Sequence, residues 1–296
     1  MDPSILTVAA AKETQPAPSR GHGRRAGWMA WFRWVAWLMR QHYLVRIASV
    51  AGVIGLWQLA AQHHVDLGVI TFANVPAPTE VVAAGWDFLH SAKLAHHIGN
   101  SLFRVFAGFG AAGVLGIGMG IAIGRWRWAA DVLLPPLELL RPIPGVAWIP
   151  LAILMFPSSE LSMIFITFLG ALFPILLNTI HGVDGLDRRL EVAARSLGAS
   201  HWAVYREVIL PGAGPSIVTG LAIGMGTSWF CLVTAEMIAG QYGIGYYTWE
   251  SYSLQRYADI VVGMVAIGAF GMASSVLVKQ VGLALMPWYR LRTRQG

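Results

Sequence analysis

Six apolar stretches, each close to the length that crosses a lipid bilayer as a helix, constrain this chain more than any other feature. A spanning helix needs about 20 predominantly apolar residues, and 56% of the chain is hydrophobic whereas 12% is charged. So much apolar surface exceeds what one soluble core can hide. The sequence therefore predicts an all-α, polytopic membrane protein with about six transmembrane helices, near residues 45–62, 101–124, 136–156, 161–180, 214–238 and 258–285.

The distribution of arginine and lysine predicts the orientation of these spans. Basic residues concentrate on the side of the N-terminus, in residues 12–46, 125–127, 188–206 and 279–294. The other side holds only Lys93, Arg104 and Arg256, and Arg141 is ambiguous. Because positive charge stays in the cytoplasm, both termini are expected there.

Residues outside the spans divide into segments of different character. Residues 1–27 lack a helical apolar period, which predicts a disordered cytoplasmic tail. Residues 28–44 mix tryptophan with arginine, as is typical of an amphipathic helix on the membrane surface. The first span and an extracytoplasmic loop occupy residues 45–93, and residues 286–296 form a basic cytoplasmic tail.

Three features that suggest other functions have simpler explanations. The net charge of +6 reflects membrane topology and not a nucleic-acid partner, because the arginines lie beside apolar runs. Cys231 is the single cysteine, so no intramolecular disulfide is possible. The adjacent pairs His63-His64 and His96-His97 point in different directions, so no metal site is predicted.

The second span carries a stripe of small residues at every fourth position. They are Gly108, Ala112, Gly116, Gly120 and Gly124. This spacing places them on one face of a helix, where another backbone can approach closely. We expect this stripe to pack against a helix of the same subunit.

A polar insertion, residues 187–211, separates the fourth and fifth spans. An apolar helical face is predicted by the i, i+3, i+4, i+7 spacing of Leu190, Ala193, Ala194 and Leu197. Gly198 is a natural helix stop, Ser200 caps a second short helix, and Pro211 closes the unit before the next span. The prediction is a cytoplasmic helix, glycine turn and helix.

A second pattern in the insertion is an Ala-Ala pair followed at fixed distances by glycine and Leu-Pro. The residues that carry it are Ala193, Ala194, Gly198, Val208, Leu210 and Pro211. This spacing resembles the signature Glu-Ala-Ala, three residues, Gly, nine residues, Ile-x-Leu-Pro of the membrane permeases of bacterial binding-protein-dependent ABC importers. Val192 occupies the glutamate position, and Glu191 lies one residue earlier.

Four further runs look like the nitrate, sulfonate, taurine and bicarbonate branch of that family. They lie at residues 141–151, 173–179, 235–237 and 243–246. The resemblance covers residues 94–285, which we assign as the transmembrane domain of a type I importer permease.

The resemblance implies that the insertion is a coupling helix that docks on a separate ATPase subunit in the bacterial plasma membrane. Candidate coupling residues are Glu191, Ala193, Ala194, Gly198, Leu210 and Pro211. ATP and Mg would be bound by that ATPase, because this chain lacks a Gly-x-x-x-x-Gly-Lys-Ser/Thr motif. An extracytoplasmic solute-binding protein and a second permease copy are the other implied protein partners. No enzymatic activity and no cofactor are expected in the chain itself.

Prolines in the third span suggest a wall of the solute path, because irregular backbone at membrane depth is tolerated where it lines a cavity. The candidates are Pro142 and Pro144 with Arg141, whose planar guanidinium suits carboxylate, sulfonate or nitrate oxygens. The alternative for Arg141 is pairing with Glu138 at the cytoplasmic interface. Glu236, inside the fifth span, is either another path residue or a structural one.

Two other classes of membrane protein fit the sequence less well. An ion-coupled secondary transporter usually has paired broken helices and intramembrane carboxylates, whereas this chain has one proline-broken span. An integral membrane enzyme needs a nucleophile with an acid-base or metal partner, and Ser228 and Ser274 are more simply packing residues. The permease interpretation is therefore preferred.

Overall fold

The computed structural model describes residues 44–289, which form a succession of helices. In its first half these are α1 (Leu44–Gln62), α2 (Pro78–Leu89), α3 (Leu94–Arg125), α4 (Arg127–Leu140), a 3-10 turn (Gly145–Trp148) and α5 (Ile149–Met155). The second half comprises α6 (Ser159–Asp184), α7 (Arg188–Ser196), α8 (His201–Val204), a π-helical segment (Tyr205–Ile209), α9 (Leu210–Ala239), α10 (Ile244–Ser253) and α11 (Tyr257–Ala284). The predictions for residues 1–43 and 290–296 lie outside the described residues.

The chain divides into two compact units, and the boundary falls after Leu59, inside α1. Helix α1 is therefore described by itself. It has 19 residues and is apolar enough to span a membrane, as its sequence predicts.

Five of the described helices are long and apolar enough to cross a membrane, and a bent pair brings the number to six. The bent pair is the third span, in which α4 and the segment Gly145–Met155 meet at 84°. The bend agrees with the prediction of a proline-broken third span, whereas the predicted start at residue 136 was wrong. The helical part begins at Arg127, and the chain turns at the Pro142 and Pro144 region, where proline cannot continue regular hydrogen bonding.

Helices α3, α6 and α9 form the centre of the second unit. The small-residue stripe of α3 lies against α6, as predicted. A Cβ added to Gly108 would lie 2.7 Å from the Ile164 carbonyl oxygen, and one at Gly120 would lie 2.6 Å from Thr179 Cβ. Successive stripe residues of α3 meet successive residues of α6 in the same order, so the two helices run parallel. The bent span between them permits this because it returns the chain to the end at which α3 begins.

Helix α9 returns antiparallel to α6, and α11 packs along α9. We call the end of this unit that holds Arg125, Asp184 and Leu210 the insertion end, because residues 187–211 lie there. The opposite end, with Leu94, Ser159 and Ala239, is called the far end. Helices α2 and α10, which the sequence analysis did not predict, pack on α11.

The fifth span begins earlier than predicted. A continuous helical stretch runs over His201–Ala239, so α8, the π-helical segment and α9 follow one another without a break. Pro211 therefore does not close the insertion. It lies inside this continuous stretch, two residues after the π-helical segment ends.

Candidate functional site

The insertion has the predicted helix, glycine turn and helix. The Asp187 side chain caps α7 by accepting a hydrogen bond from Arg189 N at 2.9 Å, and Ser200 caps α8 by accepting from Ala203 N at 3.2 Å. Gly198 has φ +85°, a left-handed conformation that glycine adopts without steric cost. The turn therefore depends on the residue type that the sequence analysis singled out.

The insertion exposes large apolar side chains, and α7 has no buried residue. Leu190 is 55% exposed, Leu197 is 89% exposed and Trp202 is 68% exposed. Ala194 packs against a cluster that contains Val204 and Ile209. The insertion is thus anchored through Ala194 and presents Leu190, Leu197 and Trp202 as an exposed apolar knob.

Glu191 ties the insertion to the transmembrane bundle. Its carboxylate accepts a hydrogen bond from the Arg125 guanidinium at the end of α3 and forms an ion pair with Arg195 at 2.8 Å. Glu191 is partly buried between these two arginines. Since Arg125 belongs to α3, this contact fixes the position of α7 relative to a spanning helix.

The other candidate coupling residues do not share one surface. Ala193 and Gly198 are exposed on the insertion, whereas Leu210 and Pro211 begin α9 and line an apolar groove beside α11. The structure thus brings Glu191, Ala193 and Gly198 together and places the Leu-Pro pair at the base of the fifth span.

Arg141 lies at the bend of the third span. Helix α4 has 14 residues, so Arg141 is about 21 Å along the helix axis from the start of α4 at the insertion end. Next to it, a Cβ at Gly145 would lie 2.9 Å from Cys231 Sγ and 3.8 Å from Gly170 N. Gly170 is near the middle of α6, about 17 Å from Ser159 and about 21 Å from Asp184. The bend therefore lies near half the depth of the bundle.

Arg141, Pro142 and Pro144 are exposed at this bend. Within residues 44–289 no ion pair joins Arg141 to Glu138. The interfacial pairing considered from the sequence is therefore not formed in this subunit, and the guanidinium is open to a ligand.

Glu236 belongs to a buried charge cluster at the far end. Its carboxylate is 0% exposed and forms an ion pair with Arg104, 1% exposed, at 2.8 Å. It also accepts hydrogen bonds from Ser101 Oγ at 2.8 Å and from Gly245 N at 2.9 Å. Arg104 Nε donates to Glu160 Oε2 at 2.7 Å. The cluster joins α3, α6, α9 and α10.

Two expectations from the sequence concern this cluster. Arg104, expected on the side opposite the N-terminus, lies at the far end and is buried inside the bundle, where Glu236 and Glu160 compensate its charge. The contacts of Glu236 are those of its structural alternative, and a path role for it stays a prediction. The signal that could have identified the pair is that each residue is a lone charge within an apolar run, for which a buried partner is the usual solution.

The turn between α9 and α10 closes over the cluster. Gly243 has φ +131°, and a Cβ on it would lie 2.3 Å from the Glu236 carboxyl carbon. Its carbonyl oxygen is 3.0 Å from His97 Nδ1. The runs 235–237 and 243–246 of the sequence analysis are thus two parts of one packed site.

Comparison with known proteins identifies relatives of this chain. Residues 112–291 match the family described as binding-protein-dependent transport system inner membrane component. A candidate aliphatic sulfonates transport permease of Escherichia coli is 35% identical over 256 residues, which cover 84% of this chain and 96% of that protein.

Two further relatives extend the comparison. A candidate ABC transporter permease of Methanocaldococcus jannaschii is 43% identical over 231 residues, which cover 77% of this chain and 86% of that protein. A nitrate import permease of Synechocystis is 34% identical over 233 residues, which cover 76% of this chain and 82% of that protein. The chain is therefore a membrane permease of the binding-protein-dependent transport family, in its nitrate, sulfonate, taurine and bicarbonate branch.

Proposed function

We propose that this chain forms the translocation path of an ATP-driven importer and that a separate ATPase subunit docks on residues 187–211. The observation that carries this proposal is the exposed apolar knob of the insertion, with Leu197 89% exposed. Apolar side chains of this size on a polar segment mark an interaction surface. Family membership makes an ABC ATPase the partner that best fits it.

The same geometry supports a route by which docking reaches the membrane. Residues 201–239 are continuously helical, so displacement of the knob acts directly on α9. A π-helical segment at Tyr205–Ile209 interrupts regular hydrogen bonding at the junction, and such segments are frequent at functional sites. We expect the insertion and α9 to move together when the ATPase opens and closes.

We further propose that the solute is a small anion such as nitrate, a sulfonate, taurine or bicarbonate. Arg141 lies near half depth, is exposed and is unpaired within residues 44–289. Charged side chains inside a membrane protein usually face a water-filled cavity or a partner. A second copy of the chain would supply the opposite wall, and an extracytoplasmic binding protein would deliver the anion.

Co-purification tests the ATPase partner. The chain expressed with a candidate ABC ATPase subunit from the same organism should purify as a stoichiometric complex. The double substitution Leu197→Ser/Trp202→Ser should reduce recovery of the complex, because it removes the exposed knob. Leu254→Ser, which changes a similarly exposed leucine at the far end, is the control. Equal recovery of all three proteins would exclude the knob as the docking element.

Cysteine labelling tests the orientation. In a Cys231→Ala background, a membrane-impermeant maleimide added outside the cell should label Lys93→Cys and not Ser200→Cys. The reverse pattern would place the insertion outside and would remove the basis for ATPase docking.

Uptake measurements test Arg141. Uptake by membrane vesicles should be measured with the binding protein saturated and normalised to assembled complex. Arg141→Gln should lose most uptake and Arg141→Lys should retain part of it, because lysine keeps the charge without the forked donor geometry. Glu138→Gln, which changes a nearby charge, should leave uptake unchanged. Full uptake by Arg141→Gln would exclude a role in the path.

A further inference from the structure

Lys279 is an isolated charge in the last span. It is the one charged residue between Ile260 and Tyr289 and lies five residues, or about 7.5 Å, before the end of α11. The side chain is exposed, and within residues 44–289 it has no ion pair. A lone cation at this position is stabilised either by interfacial water and lipid headgroups, which its long side chain can reach, or by an anion in a cavity.

The cavity beside Lys279 favours the second explanation. It has a volume of about 550 Å³ and lies between α9 and α11, with Ser216, Thr219 and Tyr289 on its polar side. Among residues 44–289, no Asp or Glu lines it. The Ser216 hydroxyl has no hydrogen bond to any other described residue, whereas the Thr219 hydroxyl donates to the Pro215 carbonyl oxygen at 2.8 Å. An ammonium and a free hydroxyl, without a competing carboxylate, are donors suited to an anion.

The opposite side of α11 has a different character. There Leu277, Val281 and Leu285 line a groove together with Val218 of α9. The described residues that line this groove at the depth of Lys279 are apolar. Helix α11 therefore presents a lipid-like face on one side and Lys279 on the other. This asymmetry is expected if Lys279 faces water and not lipid.

The cavity lies closer to the insertion end than the bend that holds Arg141. Thr219 of the cavity comes twelve residues before Cys231, which adjoins that bend. Thr219 and Cys231 are therefore about 18 Å apart along the axis of α9. Ser216 and Thr219 belong to the helix that continues directly from the insertion.

We propose that Lys279, with Ser216, forms a second anion-binding site at the insertion end of the path, and that its ligand is the small oxyanion being imported. The identity of this ligand rests on the proposed function, whereas the existence of the site does not. Arg141 would receive the anion near half depth, and Lys279 would hold it before release. Because Lys279 lies on α11 and Ser216 on α9, a movement of α9 against α11 would open the site.

Thiol accessibility tests whether Lys279 faces the cavity. In the full chain with Cys231→Ala, Lys279→Cys and Val281→Cys should be treated with a charged methanethiosulfonate reagent in inverted membrane vesicles. Val281 is closer to the end of α11 but faces the apolar groove. We expect modification of Lys279→Cys and little of Val281→Cys. Modification that is equal in both, or greater at Val281→Cys, would show that depth alone controls access and would overturn the proposal.

Protection tests anion binding without requiring transport. Nitrate and methanesulfonate, compared with gluconate at equal ionic strength, should slow the reaction of Ser216→Cys with the uncharged reagent N-ethylmaleimide. The protection should disappear in Ser216→Cys/Lys279→Met and persist in Ser216→Cys/Lys279→Arg. Absence of protection by either anion, or protection that survives Lys279→Met, would overturn the site.

Uptake separates this inference from the proposed function. If the wild-type complex imports nitrate, methanesulfonate or bicarbonate, Lys279→Met should lose most of that uptake and Lys279→Arg should keep it. If the wild type imports none of them, the proposed function fails, and the protection experiment still decides the site. Normal uptake by Lys279→Met in a transporting complex would contradict a role for the site in import.

Discussion

The buried ion pair between Arg104 and Glu236 gives the sharpest test of the fold. Removing Arg104 by substitution with Met leaves the Glu236 carboxylate, 0% exposed, without a cation. Breaking a buried pair in this way costs about 3–5 kcal/mol, because an uncompensated charge remains. The corresponding loss in the ratio of folded to unfolded protein is at least about a hundredfold, since 1.4 kcal/mol is a factor of ten.

The double variant separates charge burial from packing. In Arg104→Met/Glu236→Gln the uncompensated charge is absent, and an amide oxygen at the position of Glu236 Oε2 can still accept hydrogen bonds from Ser101 and Gly245. We therefore expect the double variant to be more stable than Arg104→Met, although it carries one more change. This non-additivity is characteristic of residues that share one interaction.

Glu160→Gln is the matched control. Glu160 also pairs with Arg104, but its side chain is 52% exposed. Because the Glu160 side chain is solvated by water and Arg104 keeps its pair with Glu236, we expect a cost of at most about 1 kcal/mol. Unfolding by sodium dodecyl sulfate in mixed micelles, followed by tryptophan fluorescence, measures the four proteins. The reasoning is refuted if Glu160→Gln is destabilised as much as Arg104→Met, or if the double variant is no more stable than Arg104→Met.

Three further predictions concern the substitution of single glycines. Gly108→Ala should lower the thermal stability of the detergent-solubilised protein because its Cβ meets α6 backbone, whereas Gly110→Ala, which has open space, should not. Gly198→Val should reduce transport at normal membrane abundance, and Gly198→Asn should retain it, because asparagine tolerates a left-handed backbone better than valine. Gly243→Ala should destabilise the far end, seen as faster proteolysis of the turn after α9, because φ is +131° and Glu236 occupies the space.

The α3 stripe and the insertion show which structural features could be predicted from the sequence. Gly108 and its successors predicted a close helix contact because their spacing alone fixes one face. Gly198 and Ser200 predicted the turn and cap because both act on their immediate neighbours. The path and coupling roles assigned to Arg141 and Glu191 remain predictions, since neither role follows from local spacing.

The sequence by itself determined the features that depend on a short window of residues. Length and apolarity located the spans, and basic residues beside them predicted an orientation. Only the tertiary structure decided the Arg104–Glu236 pair, because the two residues are 132 positions apart and meet through three-dimensional packing. It also decided the 84° bend and the continuity of residues 201–239. Prolines allow a break or a first helical turn equally well, and the choice between these depends on the neighbouring helices.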